Sequence, residues 1–154
     1  TKAVRQVTDN TVSGKIAPKV PDMVELAKAD EAGGGNGVSL IKTLLGMAID
    51  IHPRKPVLGN IYGGLSGPAV KPVALRMVHQ VYKGVTIPII GLGGIMTGTD
   101  AIEFMMAGAQ AVQVGTATMV DPTAISRIAR EMSEYVEQYN LNSITDIVGA
   151  VHQA

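Results

Sequence analysis

Apolar residues along this chain occur in four short runs, and each run is followed by a glycine or a polar turn and then by a segment with helical spacing. Short runs rich in Val and Ile and bounded by Gly or Pro are typical of strands. Strands that alternate with helices along a chain predict a parallel sheet. The pattern therefore predicts four consecutive βα units, with strands expected at 11–16, 38–41, 87–92 and 111–114.

The first two helices are predicted from a capping residue and from an apolar face. Asp22 is expected to cap a helix that ends at the Gly33–Gly35 cluster, after a turn at Pro18 and Pro21. A second helix is expected over 70–82. Its apolar residues recur at helical spacing and share one face: Val70, Val73, Ala74, Met77 and Val81.

The later helices follow from similar signals. Asp100 and Glu103 have the spacing of a capping box at the start of a third helix, and Gly108 ends it. Asp121-Pro122 opens the last long helix, and a short helix is expected over 143–151. The long helix is expected to bury one apolar stripe: Ile125, Ile128, Met132, Val136 and Tyr139.

The connection from about 42 to 68 is much longer than the roughly two to six residues usual between a strand and a helix. Such connections are usually lids or binding loops, and its tip at 50–56 is expected to lie over the site. Four βα units make half of an eight-stranded barrel, and apolar strands need partners at both edges. We interpret residues 1–154 as one domain that forms half of a (β/α)8 TIM barrel. Either four strands have been lost at the N-terminus, or another chain supplies them.

Charge and composition exclude several classes of function. Thirteen basic and thirteen acidic residues cancel, so nothing favours nucleic acid or an anionic membrane as a partner. The chain has no cysteine, which excludes disulfides, thiolate metal sites and a cysteine nucleophile within it. Its three histidines are scattered and predict no metal site. No membrane-length apolar run or signal peptide is found, and a cytoplasmic location is expected.

Two successive strands end in glycine, and this is the strongest indication of function. Residues 87–92 lead into Gly93 and Gly94, and residues 111–114 lead into Gly115 and Thr116. In parallel barrels such turns bind phosphate, because glycine lets an anion approach free backbone N–H groups. Plain strand-to-helix turns are the alternative interpretation.

Longer motifs make the chain resemble a known family. In order, the segments TLLGMAID (43–50), GGLSGPAVKP (63–72), GLGG (91–94) and AGAQAVQVGTA (107–117) resemble the C-terminal half of class 1B dihydroorotate dehydrogenase. The resemblance runs from about Asp22 to the C-terminus. It implies that the chain is the C-terminal half of an FMN-binding (β/α)8 TIM barrel whose N-terminal half is absent from this sequence. The activity it implies is FMN-dependent oxidation of dihydroorotate to orotate in de novo pyrimidine biosynthesis. It also implies a homodimer or heterotetramer, with an iron–sulfur flavoprotein subunit that carries FAD and a 2Fe–2S cluster and passes electrons to NAD.

By this resemblance, seven residues of the chain contact FMN. Lys15 takes the place of the family's flavin-contacting lysine, although a lysine in isolation is more often a solvated surface residue. Ile41 takes the place of a backbone contact to the flavin. The other five surround the ribityl chain and phosphate: Gly67, Gly93, Gly94, Gly115 and Thr116.

Two departures from the family bear on catalysis. Lys42 and Thr43 stand where the family has Asn-Thr or Asn-Ser, and the family's asparagine binds the pyrimidine. Lysine only donates hydrogen bonds, so Lys42 is a substrate ligand, a sign of a disabled site or a tolerated loop residue. The family's cysteine base is missing, so no catalytic residue is assigned in this chain. Ser66 does not lie in a G-x-S-x-G elbow and is not interpreted as a nucleophile.

Three functions stay open at the level of sequence. The first is dihydroorotate dehydrogenase, which GGLSGPAVKP and Lys15 favour. The second is a non-catalytic FMN- or phosphate-binding half-barrel, which Lys42 and the missing cysteine favour for this chain by itself. The third is another FMN barrel of the dihydropyrimidine dehydrogenase type, which fits the long connection less well.

Overall fold

A four-stranded parallel sheet lies at the centre of the computed structural model, which describes residues 1–18 and 22–153. The strands are β1 (Ser13–Ile16), β2 (Gly37–Leu40), β3 (Leu44–Gly46), β4 (Ile49–Asp50), β5 (Lys55–Pro56), β6 (Gly63–Leu65), β7 (Ile89–Leu92) and β8 (Ala111–Gln113). The α-helices are α1 (Lys2–Arg5), α2 (Met23–Ala32), α3 (Lys71–Tyr82), α4 (Gly98–Met106), α5 (Thr116–Val120) and α6 (Ala124–Gln138). The central sheet has the order β1-β2-β7-β8. The predicted βα alternation and parallel sheet are therefore confirmed.

The core lies where α2, α3 and α4 pack against this sheet. Strand β2 is buried at every position, as expected for a strand covered on both faces. Phe104 is completely buried, and a Cβ on Gly91 would come within 2.6 Å of its ring. The apolar face predicted for α3 is confirmed, because Ala74, Met77 and Val81 are buried with Val78. Burial of this face positions the start of α3, which borders the site described below.

The capping signal of α2 is confirmed. The Asp22 carboxylate accepts hydrogen bonds from Val24 N at 2.8 Å and from Glu25 N at 3.1 Å. These bonds satisfy backbone donors that have no partner within the helix. Pro18 lies in a turn, whereas Pro21, the other residue of the expected turn, lies outside the described residues.

The capping box of α4 lies three residues earlier than predicted. Thr97 is the N-cap, and its hydroxyl accepts from Asp100 N at 3.2 Å. The Asp100 carboxylate in turn accepts from Thr97 N at 2.9 Å. Asp100 therefore closes the box instead of opening it, because a threonine at the correct spacing precedes it. Glu103 takes no part in the cap and bonds Lys71 instead.

The long connection contains regular structure that the sequence pattern did not predict. Strands β3 and β6 pair antiparallel, and so do β4 and β5. Much of its apolar surface is exposed, including Leu45, Ile49, Ile51 and Tyr62. Strands of only two or three residues are too short to show a recognisable period-two alternation.

The predicted stripe of the last long helix is partly wrong. Ile125 and Tyr139 are exposed, and the buried side begins at Ala124 and continues through Ile128 to Met132. Helix α6 packs against α4, and this contact sets which side is covered. The expected helix over 143–151 is instead two 3-10 turns, Ile144–Ile147 and Ala150–His152. Gly149 separates them in a left-handed conformation with φ 74°.

Strands β1 and β8 are the edges of the central sheet, and within residues 1–18 and 22–153 each pairs with one neighbour only. In the same ranges every helix is too short or too polar to cross a bilayer. The N-terminal helix α1 and the five-residue helix α5 were not predicted from the sequence.

Candidate functional site

A cavity of about 280 Å³ opens where the central strands end. Its walls come from β1, from the segments that follow β2, β7 and β8, and from the segment that leads into α3. Because parallel strands all end at one edge, residues far apart in sequence meet there. The lining residues are Lys15, Ile41, Lys42, Thr43, Ser66, Gly67, Val70, Leu92, Gly93, Gly94, Ile95, Gln113, Gly115, Thr116 and Met119.

Every residue that the sequence nominated for cofactor or substrate lines this one cavity. The cofactor candidates are Lys15, Ile41, Gly67, Gly93, Gly94, Gly115 and Thr116. The substrate candidates, Lys42 and Thr43, lie beside them. The tip of the long connection, residues 50–56, is not part of the lining, so the expectation that it lies over the site is not supported in this conformation.

The two glycine turns border the cavity in different ways. Gly93 and Gly94 have φ of 133° and 76°, a region that favours glycine. A Cβ on Gly94 would lie 2.7 Å from Gly67 O and 2.9 Å from Lys71 N. Gly94 is therefore required by the close approach of two backbone segments.

Gly115 is different because no atom of residues 1–18 and 22–153 fills the space beside it. A Cβ at this position would meet no atom within 4 Å, and its φ of −117° is negative. Packing alone therefore does not explain the missing side chain. An open space beside a backbone amide in a cavity wall fits a ligand that approaches the backbone closely.

Two hydroxyl groups meet across the cavity. Thr116 Oγ1 lies 2.9 Å from Ser66 Oγ, and the two residues come from different segments, one ahead of α3 and one after β8. Sequence reasoning considered Ser66 only as a nucleophile and missed its position. The signal was its place directly before Gly67, which is one of the nominated cofactor contacts.

The cavity has a positive electrostatic character. Lys15 and Lys42 are the charged residues of the lining named above, and no aspartate or glutamate is among them. Two ammonium groups without a facing carboxylate favour an anionic ligand. Both lysines are exposed and can move toward such a ligand.

Behind the wall, a cluster of charges joins the beginnings of α3 and α4. Lys71 Nζ lies 2.6 Å from Asp100 Oδ1 and 2.9 Å from Glu103 Oε2. The hydrogen bonds to Asp100 and then to Glu103 raise the pKa of Lys71. Burial by itself would raise the pKa of Asp100, but hydrogen bonds from Lys71, Met96 and Thr97 outweigh it and lower that pKa. Lys71 and Asp100 therefore stay ionised at neutral pH.

Two histidines that are far apart in the sequence form a pair outside the cavity lining. The rings of His79 and His152 stack with centroids 4.1 Å apart, and Tyr82 stacks on His152 at 4.7 Å. Burial, with the charges of His152 and Lys83, lowers the pKa of His79. Neither histidine lines the cavity, and the described residues contain no group of three or more potential metal ligands.

Comparison with known proteins identifies the family to which this chain is similar. The family model of dihydroorotate dehydrogenase matches residues 1–136. The chain is 57% identical over 152 residues to the dihydroorotate dehydrogenase B (NAD(+)) catalytic subunit of Desulforamulus reducens, covering 99% of this chain and 50% of the relative. It is 56% identical over 149 residues to the subunit of that name from Alkaliphilus oremlandii, covering 97% of this chain and 49% of the relative. The chain thus spans about half the length of the curated relatives it matches.

Proposed function

The chain belongs to the dihydroorotate dehydrogenase family, and from that premise we propose that it is the C-terminal, FMN-binding half of a (β/α)8 barrel that oxidises dihydroorotate to orotate. The observation that carries the proposal is the cavity, because all nine nominated residues line it and two of them are lysines. In this proposal residues 1–154 form one domain, and βα units outside it complete the barrel at the β1 and β8 edges.

The described residues fit FMN by chemistry as well as by position. The open space beside Gly115 and the hydroxyls of Ser66 and Thr116 suit a phosphate, which accepts hydrogen bonds from N–H and O–H donors. The Gly93–Gly94 turn and Gly67 belong to the lining of the same cavity. Bound FMN would supply the two-electron redox chemistry that oxidation of dihydroorotate requires.

The remaining residues have separate roles in the proposal. The Lys15 ammonium stabilises negative charge on the flavin ring, and Ile41 contacts that ring through its backbone. Lys42 and Thr43 face the substrate from the segment after β2. No side chain of this chain is assigned as the catalytic base, because the family's base is a cysteine and the chain has none. In the proposal that base comes from residues outside the chain.

A partner subunit is also part of the proposal. The curated relatives are named catalytic subunits, which supports assembly with a second kind of subunit. We propose that this subunit carries FAD and a 2Fe–2S cluster and passes electrons to NAD, in a heterotetramer or around a homodimer. The exposed apolar residues of the long connection are available for such contacts. A cytoplasmic location stays a prediction.

Two matched glycine variants test cofactor binding in the full protein that contains this chain. Gly115→Ala places a methyl group in the cavity. Gly59→Ala places one outside the cavity lining, and there too no atom of the described residues lies within 4 Å of it. Gly115→Ala is expected to lose FMN, measured as flavin absorbance per protein, and Gly59→Ala to keep it. Full retention of FMN by the Gly115→Ala protein would contradict the assignment.

A non-catalytic flavin-binding protein is the second candidate, because Lys42 lines the cavity where the family has asparagine. The two functions separate in one anaerobic experiment on the wild-type protein. An active dehydrogenase bleaches its flavin absorbance when dihydroorotate is added. A protein that retains FMN but is not bleached supports the second candidate.

A further inference from the structure

Lys71 lies next to the cavity but is not one of its lining residues. Its backbone begins α3, directly after the Gly67–Val70 segment that forms one wall. Its ammonium is engaged behind that wall by Asp100 at 2.6 Å and Glu103 at 2.9 Å. An ammonium between two carboxylates is neutralised locally, so it is a poor direct ligand for a phosphate.

Asp100 connects this ion pair to the other wall. Its second carboxylate oxygen, Oδ2, accepts hydrogen bonds from Met96 N and Thr97 N, each at 2.9 Å. These amides follow Gly93, Gly94 and Ile95, which line the cavity. The Lys71–Asp100 contact therefore links a segment that enters α3 to a segment that leaves β7.

The two walls already touch at their glycines. The Gly94 position lies so close to Gly67 O and Lys71 N that a Cβ would come within 2.7 and 2.9 Å of them. A small displacement of the start of α3 thus changes the relative position of Gly67 and Gly94 directly. Such a displacement becomes possible when the Lys71–Asp100 ion pair is removed. The reason is that a side-chain contact between two segments fixes their relative position.

We propose that Lys71 is a positioning residue of the cofactor site, and that its bridge to Asp100 and Glu103 holds the Gly67 and Gly93–Gly94 walls at the spacing that the FMN phosphate requires. The inference rests on the proposed function, since FMN is the ligand whose affinity it explains. It assigns Lys71 no contact with the flavin and no part in the chemistry.

The test measures FMN affinity instead of turnover. FMN is removed from the full protein, and the dissociation constant is obtained by titrating FMN and following the quenching of its fluorescence. Lys71→Met keeps an unbranched side chain one atom shorter but loses both ion pairs, and it is expected to weaken FMN binding about three- to tenfold. Lys71→Arg can still bond both carboxylates and is expected to restore most of the affinity.

A control separates positioning from a general loss of stability. Glu31→Gln weakens the carboxylate that bonds Thr86 N at 2.8 Å and Ile87 N at 3.1 Å, ahead of β7 and away from the cavity. Both Lys71→Met and Glu31→Gln are expected to lower the thermal midpoint of the apoprotein. Only Lys71→Met is expected to change the FMN dissociation constant.

The outcomes distinguish this inference from the proposed function. A wild-type protein that does not bind FMN overturns both. If the wild-type protein binds FMN and Lys71→Met binds it equally well, only the positioning role is overturned. Two other results overturn it as well. If Glu31→Gln weakens FMN binding as much as Lys71→Met does, a general loss of stability accounts for the effect. If Lys71→Arg does not restore FMN affinity, the effect depends on lysine itself and not on its ion pairs.

Discussion

Thr116 and Ser66 are fifty positions apart in sequence, yet their hydroxyl oxygens lie 2.9 Å apart in the lining of the cavity. One hydroxyl of the pair donates to the other, which leaves one proton free to donate to an anion. The pair therefore extends the proposed phosphate site beyond the glycine turns.

Ser66→Ala tests this extension. Loss of one hydrogen bond to a charged group costs about 1.5–3 kcal/mol at most sites, so FMN binding is expected to weaken by at least tenfold. Fluorescence titration measures the change. Ser133→Ala is the control, because Ser133 Oγ bonds Ala129 O on α6 and not the cavity. Unchanged FMN affinity in Ser66→Ala would remove Ser66 from the site.

Gly94→Val is expected to abolish flavin retention. The new side chain would meet Gly67 O and Lys71 N first, so it forces the two walls apart before it reaches a ligand. The φ of 76° adds strain to any residue other than glycine. We therefore expect loss of both FMN and thermal stability, measured by absorbance and by thermal unfolding. A Gly94→Val protein that purifies with stoichiometric FMN would contradict the site.

Lys15→Ala tests the electrostatic role of the first lysine. Removing a positive charge near the flavin disfavours its reduced, more negative state, so the two-electron potential is expected to fall by about 30 mV, which corresponds to ~1.4 kcal/mol. Spectroelectrochemical titration measures the potential, and reduction by dihydroorotate is expected to slow. Lys55→Ala, on β5 and outside the cavity lining, is the control. A potential equal to that of the wild type would show that Lys15 does not stabilise the reduced flavin. Loss of FMN from the variant would instead make Lys15 a residue that binds the cofactor.

Lys42→Asn tests the departure from the family. The wild-type ammonium offers donors only, so an N–H of the pyrimidine ring is left without its acceptor. An unpaired polar group costs about 1–3 kcal/mol, which is roughly 5- to 150-fold in affinity. Orotate is therefore expected to bind more tightly to the Lys42→Asn protein, as measured by titration of the flavin absorbance. Equal or weaker binding would show that Lys42 is itself a ligand and that the substrate differs from the family's.

Asp100→Asn is expected to reduce stability in a pH-dependent way. The lowered pKa means that folding favours the ionised carboxylate, so its contribution is present above the ordinary value of 3.8 and is lost as the pH falls through the lower folded value. At neutral pH the variant is expected to lose about 1–2 kcal/mol of unfolding free energy. Urea unfolding at neutral and acidic pH measures this difference, which should shrink on acidification. If the difference in unfolding free energy between the wild type and Asp100→Asn does not change with pH, the charge of Asp100 does not contribute to stability.

Local signals explain which parts of the fold the sequence predicted well. The Asp22 cap, the apolar face of α3 and the βα alternation depend on residues a few positions apart, and the structure contains them. The cap of α4 was misplaced because Asp100 and Glu103 have the same spacing as Thr97 and Asp100. The stripe of α6 was misjudged because periodicity gives a helix an apolar side but not the neighbour that covers it.

The same distinction applies to the site. Glycine at the ends of β7 and β8 and lysine near the end of β1 are properties of the sequence, and parallel strands bring such ends to one edge. The sequence by itself therefore determined that this lysine and the two glycine turns meet at the cavity. Only the tertiary structure decided that Gly94 abuts Gly67, that Ser66 faces Thr116 and that Lys71 joins Asp100. Those contacts depend on how α3 and α4 pack against the sheet, and packing is set by the shapes of many side chains that are distant in the sequence.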